Sequence, residues 1–213
     1  MVISNDPNHS NYWFNNETSM RLELWFPAKP YRVTQAWGIY NPSYLQFGFS
    51  RHNGEDFRLG DDKKLYAPLK CKVTWVGENS GSGKFVEFIS TDMWEVLGTE
   101  CYVGGCFMHM EKQTCVRGQL LEVGDEIGIA DNTGFSTGPH THLSLYRLKT
   151  PLKSFENRLD NESDTNYTFD SHPYWNGYYA QDFKLVIANL NQQKSILARV
   201  VELLKWIMTK SKS

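Results

Sequence analysis

A chain of 213 residues exceeds the usual single-domain size of roughly 100–150, so one full core with an appendage is expected, the appendage at an end of the chain. A formal net charge of −2, with no clustered Lys/Arg face, gives no bulk attraction to nucleic acid and excludes it as a partner. No uninterrupted run of about 18 apolar residues occurs, which excludes a membrane-spanning helix.

Residues 1–21 read as an N-terminal segment without the basic start and apolar stretch of a secretory leader, so the chain is expected to remain in the cytoplasm where it is made. From residue 22 onward strand signals dominate. Short β-branched and aromatic runs, Lys72 to Val76, Phe85 to Ser90 and Leu143 to Tyr146, are punctuated by glycine-rich turns and read as antiparallel β. The turn Ser80-Gly81-Ser82-Gly83 lacks the Lys-Ser/Thr and the following helix of a phosphate loop, so it reads as a hairpin turn. An aromatic content of 14 % suits a polymer-binding groove or a β-rich core, and core packing is the weightier reading.

The connection between Ile89 and Phe107 is long and holds Cys101 and Cys106; it is expected to border a substrate cleft. Cys71, Cys101, Cys106 and Cys115 do not form tight metal-binding pairs, and free thiols are the default. Cys101 and Cys106 flank Tyr-Val-Gly-Gly, and a bridge between them across a hairpin is the alternative in an oxidising space. Residues 151–179 turn polar, Asn157 to Asp170 above all, and read as a surface linker. Over 180–209 the chain becomes helical: Phe183, Ile187, Leu190, Lys194, Leu197, Val201, Leu204 and Met208 recur at alternating spacings of four and three, a coiled-coil seam interrupted once by Lys194. Self-association through this helix and docking of its stripe on the preceding domain are both compatible with the pattern.

The chemistry concentrates in two motifs. Side chains at i and i+2 of a strand emerge on one face, so the imidazoles of His140-Thr141-His142 can converge on one point. About ninety residues upstream, His52-Asn53-Gly54-Glu55-Asp56 offers a further imidazole and a carboxylate. A three-ligand nitrogen and oxygen set of this kind suits zinc and leaves a fourth position open. Alone, His52 and Asp56 would read as a solvated loop; the second motif raises them to ligands. His9 and His172 receive no role, and the His-Glu-x-x-His helix motif of other zinc peptidases is absent.

Taken in order, His52-x-x-x-Asp56, His109 within Phe107-Met108-His109-Met110, and His140-x-His142 after Ser136-Thr137-Gly138-Pro139 resemble the lysostaphin-type (LytM) zinc endopeptidases that cut peptidoglycan peptides. Val33-Thr34-Gln35-Ala36-Trp37-Gly38, Leu65-Tyr66-Ala67-Pro68, Lys72 to Gly77 and Val123 to Ala130 resemble that family's supporting strands, so the likeness spans residues 22–150. It implies a mainly β catalytic domain, an antiparallel sheet or sandwich, followed here by the C-terminal α-helix. It also implies one Zn2+ per chain held by His52, Asp56 and His142, with His140 and His109 as catalytic imidazoles, His140 as general base and His109 stabilising the oxyanion or protonating the leaving amine, the two roles being exchangeable.

The implied substrate is a peptidoglycan stem peptide or cross-bridge, met at the cell wall or periplasm, as for a phage lysin or a wall-remodelling enzyme. Which bond is cut is left open by the motifs. Two departures stand out: Glu55 occupies a position where relatives commonly place an apolar residue, and Phe107 and Met110 replace a common Tyr and Leu. Glu55 reads as a bystander facing solvent. Rival classes are a LytM-like binding or activator module without catalysis and a virion structural protein; retention of all five metal-site and catalytic residues argues against the first.

Overall fold

The computed structural model describes residues 20–30, 32–152, 157–159, 165 and 167–210, with side chains described to residue 202. Most of the N-terminal segment, and Leu204 and Met208 of the predicted seam, therefore lie outside the described residues and side chains.

Eleven strands precede a single long helix. They are β1 (Leu24–Phe26), β2 (Val33–Gln35), β3 (Glu55–Phe57), β4 (Lys64–Tyr66), β5 (Cys71–Asn79), β6 (Gly83–Val96), β7 (Thr99–Gln113), β8 (Leu120–Leu121), β9 (Glu126–Ala130), β10 (Thr141–Leu148) and β11 (Trp175–Tyr179), followed by α1 (Phe183–Lys210). Nine strands form one sheet with the order β2-β3-β10-β7-β6-β5-β8, β9 pairing with both β7 and β4, and all these pairings are antiparallel. The mainly β fold with a C-terminal helix is thus as expected.

Turn chemistry fixes the two long hairpins. Asn79 Oδ1 accepts from the Gly81 and Ser82 amides at 2.9 and 2.7 Å, closing the β5–β6 turn. At the β6–β7 tip, Leu97 and Gly98 lie at φ 53° and 73° between the paired Val96 and Thr99, the two-residue geometry whose twist matches that of the flanking strands. This hairpin is the long connection anticipated from sequence, and Cys106 at its base borders a cleft. Its tip pairs with the N-terminal stretch instead, the Leu22 amide donating to Glu95 O at 3.1 Å and the Glu95 amide to Met20 O at 2.7 Å.

Strand β10 lies between β3 and β7 and is buried along almost its whole length. Alternation sends Leu143 and Leu145 into the main core with Phe57, Leu65, Phe88, Phe107 and Ile127, each such side chain worth roughly 1.5–3 kcal/mol on burial. His142, Ser144 and Tyr146 face the other way. One face of this strand therefore anchors the fold while the other is free for chemistry.

Three readings left by the sequence are resolved by the packing. Cys101 and Cys106 both lie on β7, paired with Trp94 and Glu87 of β6; five residues of extended chain separate them by about 16 Å, too far for a bridge with each other, and all four cysteines are buried. The stretch read as a surface linker is partly core: Thr165, Thr168, Phe169, Ser171 and Tyr174 are buried, and β11 pairs in parallel with β1 to form a second, two-stranded sheet. The stripe of helix α1 is half-buried at Phe183, Ile187 and Leu190 and exposed at Leu197 and Val201. Only its start is anchored, with the Phe183 ring edge-on to Trp25 at 5.0 Å and Lys184 Nζ 3.7 Å from Asp125, and residues 191–202 are exposed throughout.

Candidate metal centre

Three strands and two loops deliver the polar cluster. His52 sits just ahead of β3, Asp56 in β3 and His142 in β10, and Asp56 and His142 are directly paired across the two strands. All three side chains are buried. Their nearest atoms converge: His142 Nδ1 to Asp56 Oδ1 is 2.9 Å, His52 Nε2 to His142 Nδ1 is 3.0 Å, and His52 Nε2 to Asp56 Oδ1 is 3.2 Å. Among the described residues, these three form the single group of His, Cys, Asp and Glu side chains spaced to share a metal ion.

The donor set fits such an ion. Two imidazole nitrogens and a carboxylate oxygen at mutual separations near 3 Å approximate one face of a tetrahedron, whose edge for ligands about 2.0–2.1 Å from zinc is roughly 3.3 Å. The surroundings aim each ring. His52 Nδ1–H donates to Ala36 O at 3.0 Å, which leaves Nε2 to face the cluster as a lone pair. His142 Nε2 is 2.8 Å from Ser144 Oγ, a partner able to accept when Nδ1 serves as the ligating atom. Ser144 went unrecognised in the sequence, although its place two residues beyond His142 puts it on the same strand face.

Gly54 allows the close approach. A Cβ there would stand 2.4 Å from Leu143 O and 2.6 Å from His142 Nε2, so the residue is small because the His142 ring passes over it.

His140 and His109 flank the trio, their ring centroids 4.9 Å apart. His140 Nδ1–H donates to Gly138 O at 2.8 Å, with Ser136 Oγ 3.2 Å away, and its Nε2 lies 3.6 Å from Asp56 Oδ1. His109 occupies the left-handed region at φ 62°, which breaks the regular run of β7; its amide donates to Ser82 O and its Nδ1–H to Thr133 O at 2.8 Å. The structure therefore gathers all five predicted residues at one place, and leaves His172 outside it beside Glu55.

Electrostatics separate their roles. Burial opposes charge on the Asp56 carboxyl, but the His142 and His52 imidazoles beside it hold it well below the usual carboxylate range, so it is an anion. Burial pushes the His109 imidazole down to about 4 and also lowers that of His142, so both rings are neutral at pH 7.

A cleft of about 180 Å³ adjoins the cluster, running from Asn53 and Ser144 over Met108 and Glu87 toward Tyr146 and Arg158. Beside the centre, Tyr44 stacks on His52 at 5.7 Å and Phe47 meets Phe135 edge-on at 5.1 Å, so the loops of residues 41–49 and 132–139 form an aromatic rim.

The chain is similar to several known proteins. Residues 50–154 match the family described as Peptidase family M23. Over 105 residues the chain is 29 % identical to a protein of Haemophilus influenzae named as an uncharacterized metalloprotease, covering 47 % of this chain and 20 % of that one. Over 105 residues it is 25 % identical to the peptidoglycan DD-endopeptidase ShyB of Vibrio cholerae, covering 49 % of this chain and 22 % of the relative. The chain thus spans about a fifth of the length of these two relatives. Among solved structures, a zinc-containing peptidase from Vibrio cholerae superposes with a TM-score of 0.50 at 23 % identity, over 62 % of this chain and 39 % of that one, a likeness of fold. The family resemblance read from the motifs is borne out by this match of residues 50–154 to Peptidase family M23.

Proposed function

We propose that the chain is a zinc-dependent endopeptidase that hydrolyses peptide bonds in peptidoglycan stem peptides or cross-bridges, acting at the cell wall or periplasm. The observation that carries this reading is the buried His52, Asp56 and His142 trio, with ligand atoms 2.9–3.2 Å apart and two further imidazoles beside it. Membership of the domain in a peptidase family and the peptidoglycan relative supply the substrate class.

His52, Asp56 and His142 would hold the zinc ion. When bound, zinc supplies Lewis acidity, polarising a peptide carbonyl and lowering the pKa of water toward about 7.

The remaining roles follow from tautomers. His140 and His109 each commit Nδ1–H to a backbone carbonyl, so in the neutral form each offers Nε2 as a proton acceptor. Nε2 of His140 lies beside a carboxylate, 3.6 Å from Asp56 Oδ1, and so faces the same point as the three ligand atoms. That makes His140 the general base, taking a proton from the attacking water. His109, neutral at pH 7 with Nδ1–H already engaged, has no N–H to give an oxyanion. Once protonated it is a strong acid, suited to passing a proton to the leaving amine. Of the two roles implied for His109, its hydrogen bonding favours the second.

Self-association through α1 belongs to the same reading. Leu197 and Val201 of the seam are exposed and a second copy would cover them.

The test is digestion of purified peptidoglycan sacculi with identification of the released fragments by mass spectrometry. New amino termini at stem or cross-bridge peptide bonds support the proposal. A protein that binds zinc and sacculi but releases no amine from several wall types would be a binding module instead.

A further inference from the structure

The side chain expected to face solvent, Glu55, is 1 % exposed, and its surroundings lie outside the family domain. We infer that Glu55 is a positioning residue for the metal centre, held by a strap of residues 171–175 that grips the back of β3. The inference rests on the reading of His52, Asp56 and His142 as metal ligands.

β3 is three residues long, and alternation places Asp56 on the side of the cluster while Glu55 and Phe57 point the opposite way. Both back-facing side chains are gripped by the same segment. Glu55 Oε2 accepts from Ser171 Oγ at 2.5 Å and from Trp175 Nε1 at 2.9 Å, and His172 Nδ1 stands 3.6 Å from Oε1. The Trp175 ring packs edge-on to Phe57 at 5.9 Å and tilted against Phe26 at 5.5 Å. Trp175 is itself fixed opposite Leu24 in the parallel β1–β11 pair.

A buried carboxylate is costly unless hydrogen-bonded, and donors to an ionised acceptor make the stronger bonds. Deprived of Ser171 and Trp175, Glu55 would seek water. A strand of three residues answers such a pull by rolling about its axis. Rolling β3 moves Asp56 relative to His142, its cross-strand partner, and so disturbs the 2.9 Å approach on which the site depends. The strap thus acts on the metal ligand through Glu55, in the way that groups behind a ligand generally set its aim.

The experiment measures zinc affinity of the full chain by competition with a chromophoric chelator, alongside thermal unfolding of the metal-free protein. The double variant Ser171→Ala, Trp175→Phe should bind zinc about tenfold or more weakly, with Glu55→Gln, which keeps an oxygen acceptor, less affected. If the double variant does not fold, Trp175→Phe alone, which keeps the ring and Ser171, reports the same effect at smaller size. Unchanged zinc affinity in a folded variant, even with a lowered unfolding temperature, would reduce Glu55 to an anchor of the fold and overturn the inference. Wild-type protein that binds no zinc would overturn the metal centre itself, an outcome distinct from equal binding by wild type and variant.

Discussion

Each imidazole at the centre spends one nitrogen on a fixed partner and leaves the other for the cluster. His52 uses Ala36 O, His109 uses Thr133 O, His140 uses Gly138 O and His142 uses Ser144 Oγ. Removing a ligand and removing a base should therefore have different signatures. His142→Ala is expected to lose stoichiometric zinc by elemental analysis, whereas His140→Ala should keep zinc and lose turnover by about 10²–10⁴-fold; near-normal turnover in His140→Ala would refute its role as base. Ser144→Ala, which leaves His142 Nε2 without its acceptor, should weaken zinc binding by about tenfold.

The buried rings also predict a pH dependence of the metal-free fold. His109 is lowered to about 4 and His142 is lowered as well, so between pH 6.5 and 4 the unfolded chain binds protons that the folded chain refuses. Stability is then fully present above pH 6.5 and lost as pH falls through that window, by on the order of 3 kcal/mol from His109. Asp56 has the same sign further down: its contribution is present above the ordinary carboxyl pKa near 3.9 and is lost below it. Urea unfolding in chelator at pH 7, 5.5 and 4.5 reads the first window, and a flat profile would contradict it. The five clustered residues were legible because their side-chain types and spacing are unusual. Three of their four orienting partners are backbone carbonyls, which leave no mark in a sequence, and Glu55 was misread because its donors, Ser171 and Trp175, lie more than a hundred residues away.

At the scale of elements, β10 does two jobs through strand alternation, Leu143 and Leu145 in the core and His142 and Ser144 at the centre. Gly54 is where the loop ahead of β3 meets this strand. Gly54→Ala would place a methyl 2.4 Å from Leu143 O and 2.6 Å from His142 Nε2, so it should destabilise the fold by about 1–3 kcal/mol and weaken zinc binding. Chemical unfolding and chelator competition check the two effects, and wild-type values for both would show that the loop yields freely. Gly138, by contrast, has open space where its Cβ would be. The strands themselves were readable from β-branched alternation and glycine turns. The buried part of 157–179 was not, because Thr165, Thr168 and Ser171 look polar in composition yet find their hydrogen bonds inside: Thr168 Oγ1 donates to Thr165 O and accepts from Trp37 Nε1.

For the whole molecule, the region that matches the M23 family is completed by chain from both sides of it. β1 and β11 pair, Phe26 packs on Trp175, and α1 leaves from this junction with Leu197 and Val201 of its stripe exposed. The heptad pattern was visible in the sequence, but periodicity alone does not say whether a stripe meets the same chain or another; exposure of residues 191–202 excludes the body as the partner of that stretch. Self-association predicts a concentration-dependent mass in sedimentation equilibrium that Leu197→Asp with Val201→Asp reduces to the monomer, with zinc content unchanged. A monomer at all concentrations would leave the stripe for another partner.

The central claim is that a single zinc ion at His52, Asp56 and His142 is required for peptide-bond hydrolysis, and it is tested most directly by pairing zinc stoichiometry on purified protein with amine release from peptidoglycan sacculi, before and after chelation. The account predicts one zinc per chain, release that stops on chelation, and recovery when zinc is restored. Absence of bound zinc, or release that persists after the metal has been removed, would contradict it.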